Sequence, residues 1–417
     1  MIKKSEILEM GEKAQKASLG LAKLSSRKKN NILEAMADEL DARRKEIQAA
    51  NQKDLVEGKK NGLSAAMLDR LELTDERFKS MVKGILDVIA LKDPVGDIMS
   101  TWVRPNGLEI KKVRVPIGVI GIIFESRPNV TVDAAVLCFK SSNATILRGG
   151  KEAIHSNRAL ALAIQEGGEK KGLPPNAIQL VQTTERSAVK ELVQLEGLVD
   201  LVIPRGGEGL IRAVVEDARV PVIKHYKGIC HIYVDKDANL PAAVDIVDNA
   251  KTQRPGVCNA VETVLVHKDI SEEFLPMLAN RLISKKVEIR GDNATCALIP
   301  EATPAKEEDW GEEYLDLILS VKVVDTIDDA ISHIDQYGSK HSDAILSQSE
   351  LAQKQFLQEV DSSTVYVNAS TRFTDGNEFG LGAEIGISTD KLHARGPMGL
   401  EELTTYKFHV LGTGQIR

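Results

Sequence analysis

The residue best suited to chemistry in this 417-residue chain is a cysteine in a short polar loop. Cys258 lies in the stretch Gln253-Arg-Pro-Gly-Val-Cys-Asn-Ala260, which contains a proline and a glycine and precedes the predicted strand Val261 to Val266. A loop cysteine with rigid neighbours, a nearby arginine and backbone amides has the surroundings that favour a nucleophilic thiolate. From these residues alone, a loop cysteine without a function is an equally good interpretation.

The other three cysteines are expected to be small buried hydrophobic residues. Cys138 lies in an apolar helical stretch, and Cys230 and Cys296 lie in apolar segments that we expect to be strands. No two cysteines have CxxC spacing, and no cysteine and histidine cluster has the spacing of a zinc site, so no metal centre is predicted. Scattered cysteines fit a reducing compartment, in which a special cysteine would be a nucleophile.

Two basic, glycine-rich segments follow predicted strands and could bind phosphate groups. The strand Leu201 to Pro204 leads into Arg205-Gly-Gly207 and then a helical stretch, which would place backbone N–H groups and a helix N-terminus around an anion. The stretch Ile146-Leu-Arg-Gly-Gly-Lys151 repeats this pattern. Neither segment has the GxGxxG or Walker A pattern, and such turns are often only structural. Together they favour a nucleotide site and argue against ATP hydrolysis.

Alternating strands and helices must position these residues. Short apolar strands separated by helical stretches are typical of parallel sheets covered on both faces. The predicted strands cover residues 117–124, 144–147, 177–181, 199–204, 230–234, 261–267, 295–299, 317–324, 343–346 and 363–367. Helical periodicity appears earlier, over Ile7–Leu21, Ile32–Ile47 and Phe78–Ile89. We therefore predict the α/β fold class, with two α/β domains.

Two further segments have strand character without helices between them. Gly107–Pro116 begins at an Asn-Gly turn and, with Ser100–Arg104, predicts a protruding hairpin. Thr404–Leu411 predicts a strand near the C-terminus. Each would leave an open sheet edge unless another strand paired with it.

Charge and hydropathy exclude several classes of protein. The 54 basic and 61 acidic residues give a net charge of −7 without a long run of one sign, which argues against nucleic acid or an anionic membrane as a partner. Met1–Met10 has charges where an export signal needs an apolar core. The longest apolar run, Val115–Phe124, is shorter than the roughly 20 residues that a membrane helix needs. We expect a cytoplasmic protein.

The chain resembles the aldehyde dehydrogenase superfamily, and most closely its branch that reduces glutamyl phosphate. The matching stretches follow one another along nearly the whole chain and are Ile122–Asn129, Ile146–Glu152, Ile203–Gly207, Lys251–Asn259, Gly338–Asp343, Asn368–Asp375 and Leu392–Leu400. The resemblance implies two doubly wound α/β domains and a small β oligomerisation element. It assigns residues 1–99 and 117–228 to a dinucleotide-binding domain, 229–390 to a catalytic domain, and 100–116 and 391–417 to an oligomerisation hairpin and C-terminal tail.

The resemblance also assigns catalytic roles to particular residues. Cys258 matches the family's nucleophile, and Asn259 beside it belongs to the catalytic set. Ser126 stands where general aldehyde dehydrogenases carry an asparagine, and would hold an oxyanion with the Cys258 amide. His225 stands where hydrolytic members carry a glutamate base. A phosphorylating enzyme needs no such base, because phosphate itself attacks the thioester.

NADPH is the cofactor that the resemblance implies. The residues assigned to it are Arg148, Gly149 and Lys151 at the adenosine ribose and 2′-phosphate, Arg205, Gly206 and Gly207 at the pyrophosphate, and Glu313 at the nicotinamide ribose. Arg127, Lys224 and Arg254 are the candidates that would hold the phosphate of the substrate.

The resemblance implies reduction of L-glutamyl 5-phosphate to L-glutamate 5-semialdehyde through a cysteine thioester, in proline biosynthesis. The expected partners are this small-molecule substrate, further copies of the chain in a homo-oligomer, and glutamate 5-kinase. A hydrolytic aldehyde dehydrogenase acting on another aldehyde is an alternative, and it would not require phosphate. A nucleotide-binding regulator that has kept the fold is a second alternative.

Overall fold

The computed structural model describes residues 5–417 except the side chain of Ala66. The chain forms two compact units: the first unit contains the chain up to Lys224 with Leu381–Gly386 and Met398–Arg417, and the second contains His225–Gly380 and Ile387–Pro397. Residues 1–4, on which the argument against an export signal partly depends, lie outside the described residues. The assignment of functions to the three predicted domains stays a prediction.

The first unit opens with helices that serine and threonine side chains cap. The helices are α1 (Glu6–Leu21), α2 (Ser26–Ala42), α3 (Arg44–Lys60), α4 (Ala65–Leu71) and α5 (Asp75–Ala90). Ser5, Ser25 and Thr74 each accept a backbone N–H of the first turn that would otherwise have no partner. The single helix expected over Ile32–Ile47 is wrong: the chain ends α2 and begins α3 at Arg43, while the apolar periodicity continues across the break.

A four-stranded parallel sheet forms the centre of the first unit. It contains β3 (Val119–Phe124), β4 (Ala144–Gly149), β5 (Ile178–Leu180) and β6 (Leu201–Arg205), and its helices are α6 (Val130–Lys140), α7 (Ile154–Glu169), α8 (Ser187–Val193) and α9 (Glu208–Asp217). The strand order is β5-β4-β3-β6. The order therefore reverses between β3 and β6, and a crevice at the carboxyl ends of such strands is where doubly wound folds bind ligands.

The predicted hairpin and C-terminal strand are confirmed, and they pair with each other. Strands β1 (Ile98–Val103), β2 (Glu109–Pro116) and β16 (Thr404–Leu411) form an antiparallel sheet in which β2 is central. All residues of β1 are exposed, as are all of β16 after Thr404. The sheet therefore presents apolar side chains that this chain does not cover.

The second unit is built on a larger parallel sheet. Its strands are β7 (Cys230–Val234), β8 (Val261–His267), β9 (Glu288–Gly291), β10 (Thr303–Pro304), β11 (Ile318–Val324), β12 (Ser342–Leu346) and β13 (Thr364–Val367), in the order β10-β9-β11-β8-β7-β12-β13. Its helices are α10 (Leu240–Thr252), α11 (Lys268–Ser284), α12 (Asn293–Leu298), α13 (Ile327–Tyr337) and α14 (Glu350–Glu359). Every residue of β7 and β8 is buried, as expected for the central strands of a parallel sheet that is covered on both faces. The predicted α/β fold class is confirmed.

One predicted strand of the second unit is wrong. Residues 295–299 lie mostly in helix α12, which begins at Asp292, whose side chain accepts the backbone N–H of Thr295. The strand of this region is β9. The sequence does not predict it, because the charged residues Glu288 and Arg290 interrupt its apolar pattern. Cys296 is therefore a partly exposed helical residue, whereas Cys138 and Cys230 are buried as expected.

Two short strands, β14 (Gly386–Ser388) and β15 (Gly396–Met398), pair near the end of the chain. Short 3₁₀ turns cover Lys151–Ala153, Glu307–Gly311 and Thr371–Phe373. Within residues 5–417, no helix is both long enough and apolar enough to cross a membrane.

Candidate functional site

Cys258 lies in the loop between α10 and β8 and is partly exposed. The segment that leads into β7 passes directly against it: a Cβ atom at Gly228 would lie 2.5 Å from both Cα and Cβ of Cys258. Only glycine permits this approach. The backbone N–H of Gly228 donates to Oε1 of Glu313 at 2.9 Å. The structure thus brings the predicted residues Cys258 and Glu313 to the same place in the second unit, at the amino ends of its strands.

The 3₁₀ turn Thr371–Phe373 holds Asn259, the residue that follows Cys258. The Asn259 side chain donates from Nδ2 to the Thr374 carbonyl at 2.8 Å, and its backbone carbonyl accepts the Thr371 hydroxyl at 2.7 Å. Its Oδ1 accepts a hydrogen bond from Nη1 of Arg372. Asn259 therefore fixes the loop on both its backbone and its side chain, a positioning role that fits its place in the predicted catalytic set.

Two arginines lie within electrostatic reach of one another beside Cys258. Burial lowers the pKa of Arg372, the neighbouring guanidinium of Arg254 lowers it further, and negative charge at Asp375 and Cys258 raises it. Positive charge beside a cysteine favours its thiolate and attracts anions. Arg254 is a predicted phosphate residue; Arg372 is not, although it lies in the matching stretch Asn368–Asp375. The sequence signal for Arg372 is an arginine close to two threonines, Thr371 and Thr374, within that matching stretch.

Two neutral side chains, Cys230 and His341, lie next to the backbone of Cys258. The Cys230 thiol donates to the Cys258 carbonyl at 3.2 Å, and the His341 Nδ1 lies 3.7 Å from the same sulfur. Burial raises the pKa of Cys230, and burial lowers the pKa of His341 to about 3, with a smaller contribution from His225. Cys230 is thus a protonated donor rather than a second nucleophile.

His225 faces the protein backbone. Its Nδ1 lies 2.9 Å from the Ile387 carbonyl, and its ring meets that of His341 edge to face at 5.7 Å between centroids. A nitrogen that donates to a carbonyl holds the ring in one tautomer. This arrangement fixes the orientation of His225 within the second unit.

A buried ion pair joins the two ends of the Cys258 loop. Nζ of Lys251, at the end of α10, lies 2.6 Å from Oε2 of Glu262 in β8, and both side chains are fully buried. Burial raises the pKa of Glu262 to about 7, and the ammonium group opposes this shift. Removing either partner would leave the other charge buried without compensation, which is strongly destabilising.

In the first unit, the carboxyl ends of β3 and β6 carry several predicted residues. Ser126 has a φ of 45°, and both its backbone N–H and its hydroxyl donate to Oε1 of Glu152, at 2.6 and 2.9 Å. Helix α9 begins at Gly207 without a side-chain cap, and the Gly207 N–H donates to Oε2 of Glu125 at 3.1 Å. A carboxylate therefore lies at the helix N-terminus, where an anion of a ligand would be stabilised.

Close packing explains the glycines beside this helix terminus. A Cβ at Gly206 would lie 2.7 Å from Leu210 and would also clash with the Glu125 carboxylate. The guanidinium of Arg205 packs on Gly386, where an added Cβ would lie 2.8 Å from its Nη1. Burial raises the pKa of Asp133, on α6, to about 6, and Arg205 opposes this shift.

Arg148 is buried at the end of β4. Its Nη1 donates to the Gly149 carbonyl at 3.0 Å and its Nη2 to the Thr184 carbonyl at 2.9 Å. Its Nε has no hydrogen-bond partner among the described residues. An added Cβ at Gly149 would clash with Asn157, and Lys151 is exposed on the adjacent 3₁₀ turn.

These residues fit a nicotinamide dinucleotide. The strand order reverses where Arg205, Gly206 and Gly207 lie, α9 directs its N-terminus there, and a buried guanidinium nitrogen at Arg148 has no partner. Arg127 and Lys224 belong to the same unit. The roles of all these site residues stay predictions. Within residues 5–417, no group of three or more histidine, cysteine, aspartate or glutamate side chains could hold a metal ion.

Comparison with known proteins gives the class of this fold and site. The family model described as "Aldehyde dehydrogenase family" matches residues 1–314. The chain belongs to the aldehyde dehydrogenase family, whose fold binds a nicotinamide cofactor.

Similar relatives are named gamma-glutamyl phosphate reductase. That of Caldanaerobacter subterraneus subsp. tengcongensis is 55% identical over 99% of this chain and 100% of its own, and that of Moorella thermoacetica is 56% identical over 99% of each chain. The crystal structure of gamma-glutamyl phosphate reductase from Thermotoga maritima is 49% identical and covers 99% of this chain and 100% of its own, with a TM-score of 0.97. The resemblance inferred from the sequence motifs is confirmed.

Proposed function

We propose that this protein reduces L-glutamyl 5-phosphate to L-glutamate 5-semialdehyde and releases phosphate, in proline biosynthesis. The observation that carries the proposal is identity of more than half, along nearly the full chain, with proteins named gamma-glutamyl phosphate reductase. The Cys258 loop, with its two arginines and its fixed backbone, supports the proposal because acyl transfer from a phosphate needs a nucleophile and cations beside it.

Cys258 is the proposed nucleophile. Its thiolate attacks the acyl carbon, the bond to phosphate breaks, and a thioester forms on the enzyme. Arg254 stabilises the thiolate and the departing phosphate, and Asn259 holds the loop in place through Thr371 and Thr374. A thioester accepts hydride more readily than a carboxylate does, so the covalent step prepares the carbon for reduction.

NADPH is the proposed cofactor, and it supplies the hydride when bound. Arg205 and the amides of Gly206 and Gly207 would hold its pyrophosphate, while Arg148 and Lys151 would lie at the ribose and 2′-phosphate of the adenosine. Gly149 permits the close packing that places Arg148. Glu313 is the proposed ligand of the nicotinamide ribose.

Three assigned roles stay predictions. Ser126 would help to hold the oxyanion, although its hydroxyl donates to Glu152 in this structure. Arg127 and Lys224 are further candidates for the phosphate of the substrate. His225 would leave the thioester without a strong base to activate water, which protects the intermediate from hydrolysis.

Replacement of Cys258 tests the proposal. We expect Cys258→Ala to lower phosphate-dependent reduction of NADP by glutamate 5-semialdehyde at least about a thousandfold, because no nucleophile remains. The measurement is the initial rate of absorbance increase from NADPH. Cys296→Ala is the matched control, since Cys296 is also partly exposed but lies on α12, and it should keep wild-type turnover. Substantial turnover by Cys258→Ala would refute the assignment.

We also propose a homo-oligomer joined through the sheet of β1, β2 and β16. Its strands leave apolar residues such as Trp102 and Phe408 exposed, and an apolar sheet of this kind is normally covered. A cytoplasmic location and a contact with glutamate 5-kinase are further proposals, and both derive from the sequence.

A further inference from the structure

Arg372 is built into the nucleophile loop. Its Nε donates to Oε1 of Gln253 at 2.9 Å, and its Nη1 donates to Oδ1 of Asn259. These two partners stand on either side of Cys258 in the sequence, so the guanidinium bridges the loop. Neither of these two bonds uses its Nη2. One edge of the group is therefore fixed while another keeps its capacity to bind a ligand.

The charges around Arg372 favour an anionic ligand. Arg254 is close enough to lower the pKa of Arg372, and two neighbouring cations repel each other unless an anion lies between or beside them. Asp375 is the acidic side chain within reach, and its Oδ1 accepts the backbone N–H of Asn377 at 2.9 Å. The Cys258 thiolate is the other negative charge, and it is consumed when the thioester forms.

The proposed substrate offers two anionic groups, and the phosphate suits this site better. The phosphate is bonded to the carbon that Cys258 attacks, so it must lie beside the sulfur. The α-carboxylate lies at the other end of the molecule and has an ammonium group next to it, which two arginines would repel. A phosphate dianion has no such cation and has several oxygens that can accept hydrogen bonds from a guanidinium fork.

We propose that Arg372, together with Arg254, binds the phosphate that leaves Cys258's acyl substrate. This inference rests on the proposed function. In the reductive direction the sulfur–carbon bond forms, the carbon–oxygen bond to phosphate breaks, and phosphate leaves with the electron pair of that bond. In the oxidative direction a phosphate oxygen attacks the thioester carbon and Cys258 leaves as a thiolate. Arg372 stabilises the charge on the phosphate in both directions.

The test measures the phosphate dependence of NADP reduction by glutamate 5-semialdehyde in wild type, Arg372→Gln and Arg372→Lys. We expect the KM for phosphate to rise about 10- to 100-fold in Arg372→Gln, the loss expected for one charged hydrogen-bonding group, and less in Arg372→Lys. The KM values for aldehyde and NADP should not change. Arg281→Gln is the matched control, because Arg281 is an exposed arginine on α11 whose ion pairs are with Asp245 and Asp248.

A binding measurement separates this role from a purely structural one. Inorganic phosphate should protect Cys258 of the wild-type enzyme against alkylation by iodoacetamide, and Arg372→Gln should need a correspondingly higher phosphate concentration for the same protection. An unchanged KM for phosphate, or a rise confined to the KM for aldehyde, would overturn the inference. A lower kcat with unchanged phosphate KM and unchanged protection would also overturn it.

The wild-type measurement distinguishes failure of the proposed function from failure of the role proposed for Arg372. If its NADP reduction does not depend on phosphate, the proposed function fails. If it depends on phosphate and Arg372→Gln behaves as wild type, only the role of Arg372 fails. Should Arg372→Gln not fold, Arg372→Lys decides by the same criteria, since it keeps the charge but lacks the planar fork.

Discussion

Charge placed beside single residues, rather than the net charge, determines what this protein can bind. The chain carries a net charge of −7, yet Arg254 and Arg372 lie beside Cys258, and Arg205 lies at the start of α9. An anionic substrate and cofactor are thus attracted locally by a protein that repels them overall. Arg372 was not predicted, because its importance depends on bonds to Gln253 and Asn259 that lie more than a hundred residues away in sequence.

Glu125 should oppose cofactor binding. Its exposed carboxylate accepts the Gly207 N–H at the N-terminus of α9, where the pyrophosphate of NADPH is proposed to lie. Removing the charge in Glu125→Gln should lower the Kd for NADPH by about 3- to 10-fold, the size expected for one nearby like charge. Quenching or enhancement of NADPH fluorescence measures this constant. Glu216→Gln, at the other end of the same helix, should leave it unchanged, and an unchanged or higher Kd for Glu125→Gln would contradict the account.

At the scale of elements, loops from distant parts of the chain position Cys258, the proposed nucleophile. The segment before β7 supplies Gly228, the loop before β8 supplies Cys258, and the 3₁₀ turn Thr371–Phe373 holds Asn259. Apart from the bonds of the Arg372 guanidinium, the contacts described between them are made by backbone atoms or short side chains. A small displacement of one loop must therefore move the sulfur.

Gly228→Ala should reduce turnover while the fold persists. The added Cβ would overlap Cα and Cβ of Cys258, and a displacement of about 1 Å at a nucleophile costs on the order of 100-fold in rate. The control is Gly256→Ala in the same loop, whose added Cβ would meet only the Leu315 carbonyl at 3.7 Å. Both variants are compared by kcat and by circular dichroism. Equal activity of Gly228→Ala and wild type would show that this contact does not position Cys258.

The sequence predicts helices and strands well where apolar residues follow one clear pattern along a segment, and poorly where they do not. The buried strands β3, β7 and β8 are rich in apolar residues, and the sequence predicts them to within two residues. The sequence does not predict strand β9, because Glu288 and Arg290 interrupt its apolar pattern. It predicts a strand in place of α12, because six residues are too few to show helical periodicity. The break at Arg43 was missed because the apolar face continues past it.

At the scale of the whole molecule, the sheet of β1, β2 and β16 is the part that the chain leaves uncovered. Trp102 meets Phe408 edge to face at 6.1 Å between centroids, and Tyr406 extends the aromatic group. The pairing of β16 with β2 joins residues almost three hundred positions apart. The sequence predicted both strands, but it could not show that they pair, because register and partner depend on the folded chain.

A charge on this sheet should dissociate the proposed oligomer. Phe408 is 54% exposed on β16, and Phe408→Glu would place a carboxylate in an interface that must exclude water. Sedimentation velocity should show wild type as an oligomer and the variant shifted towards the monomer. Leu351→Glu, at an exposed apolar position on α14, should keep the wild-type mass. A monomeric wild type at micromolar concentration would refute the proposed assembly.

The phosphate requirement tests the central claim most directly. Purified protein is given glutamate 5-semialdehyde and NADP, and the initial rate of NADPH formation is followed as inorganic phosphate is raised from zero. We expect a rate near background without phosphate and a saturable increase with it, because phosphate is the nucleophile that releases the acyl group from Cys258. An equal rate with and without phosphate would contradict the account and indicate a hydrolytic aldehyde dehydrogenase.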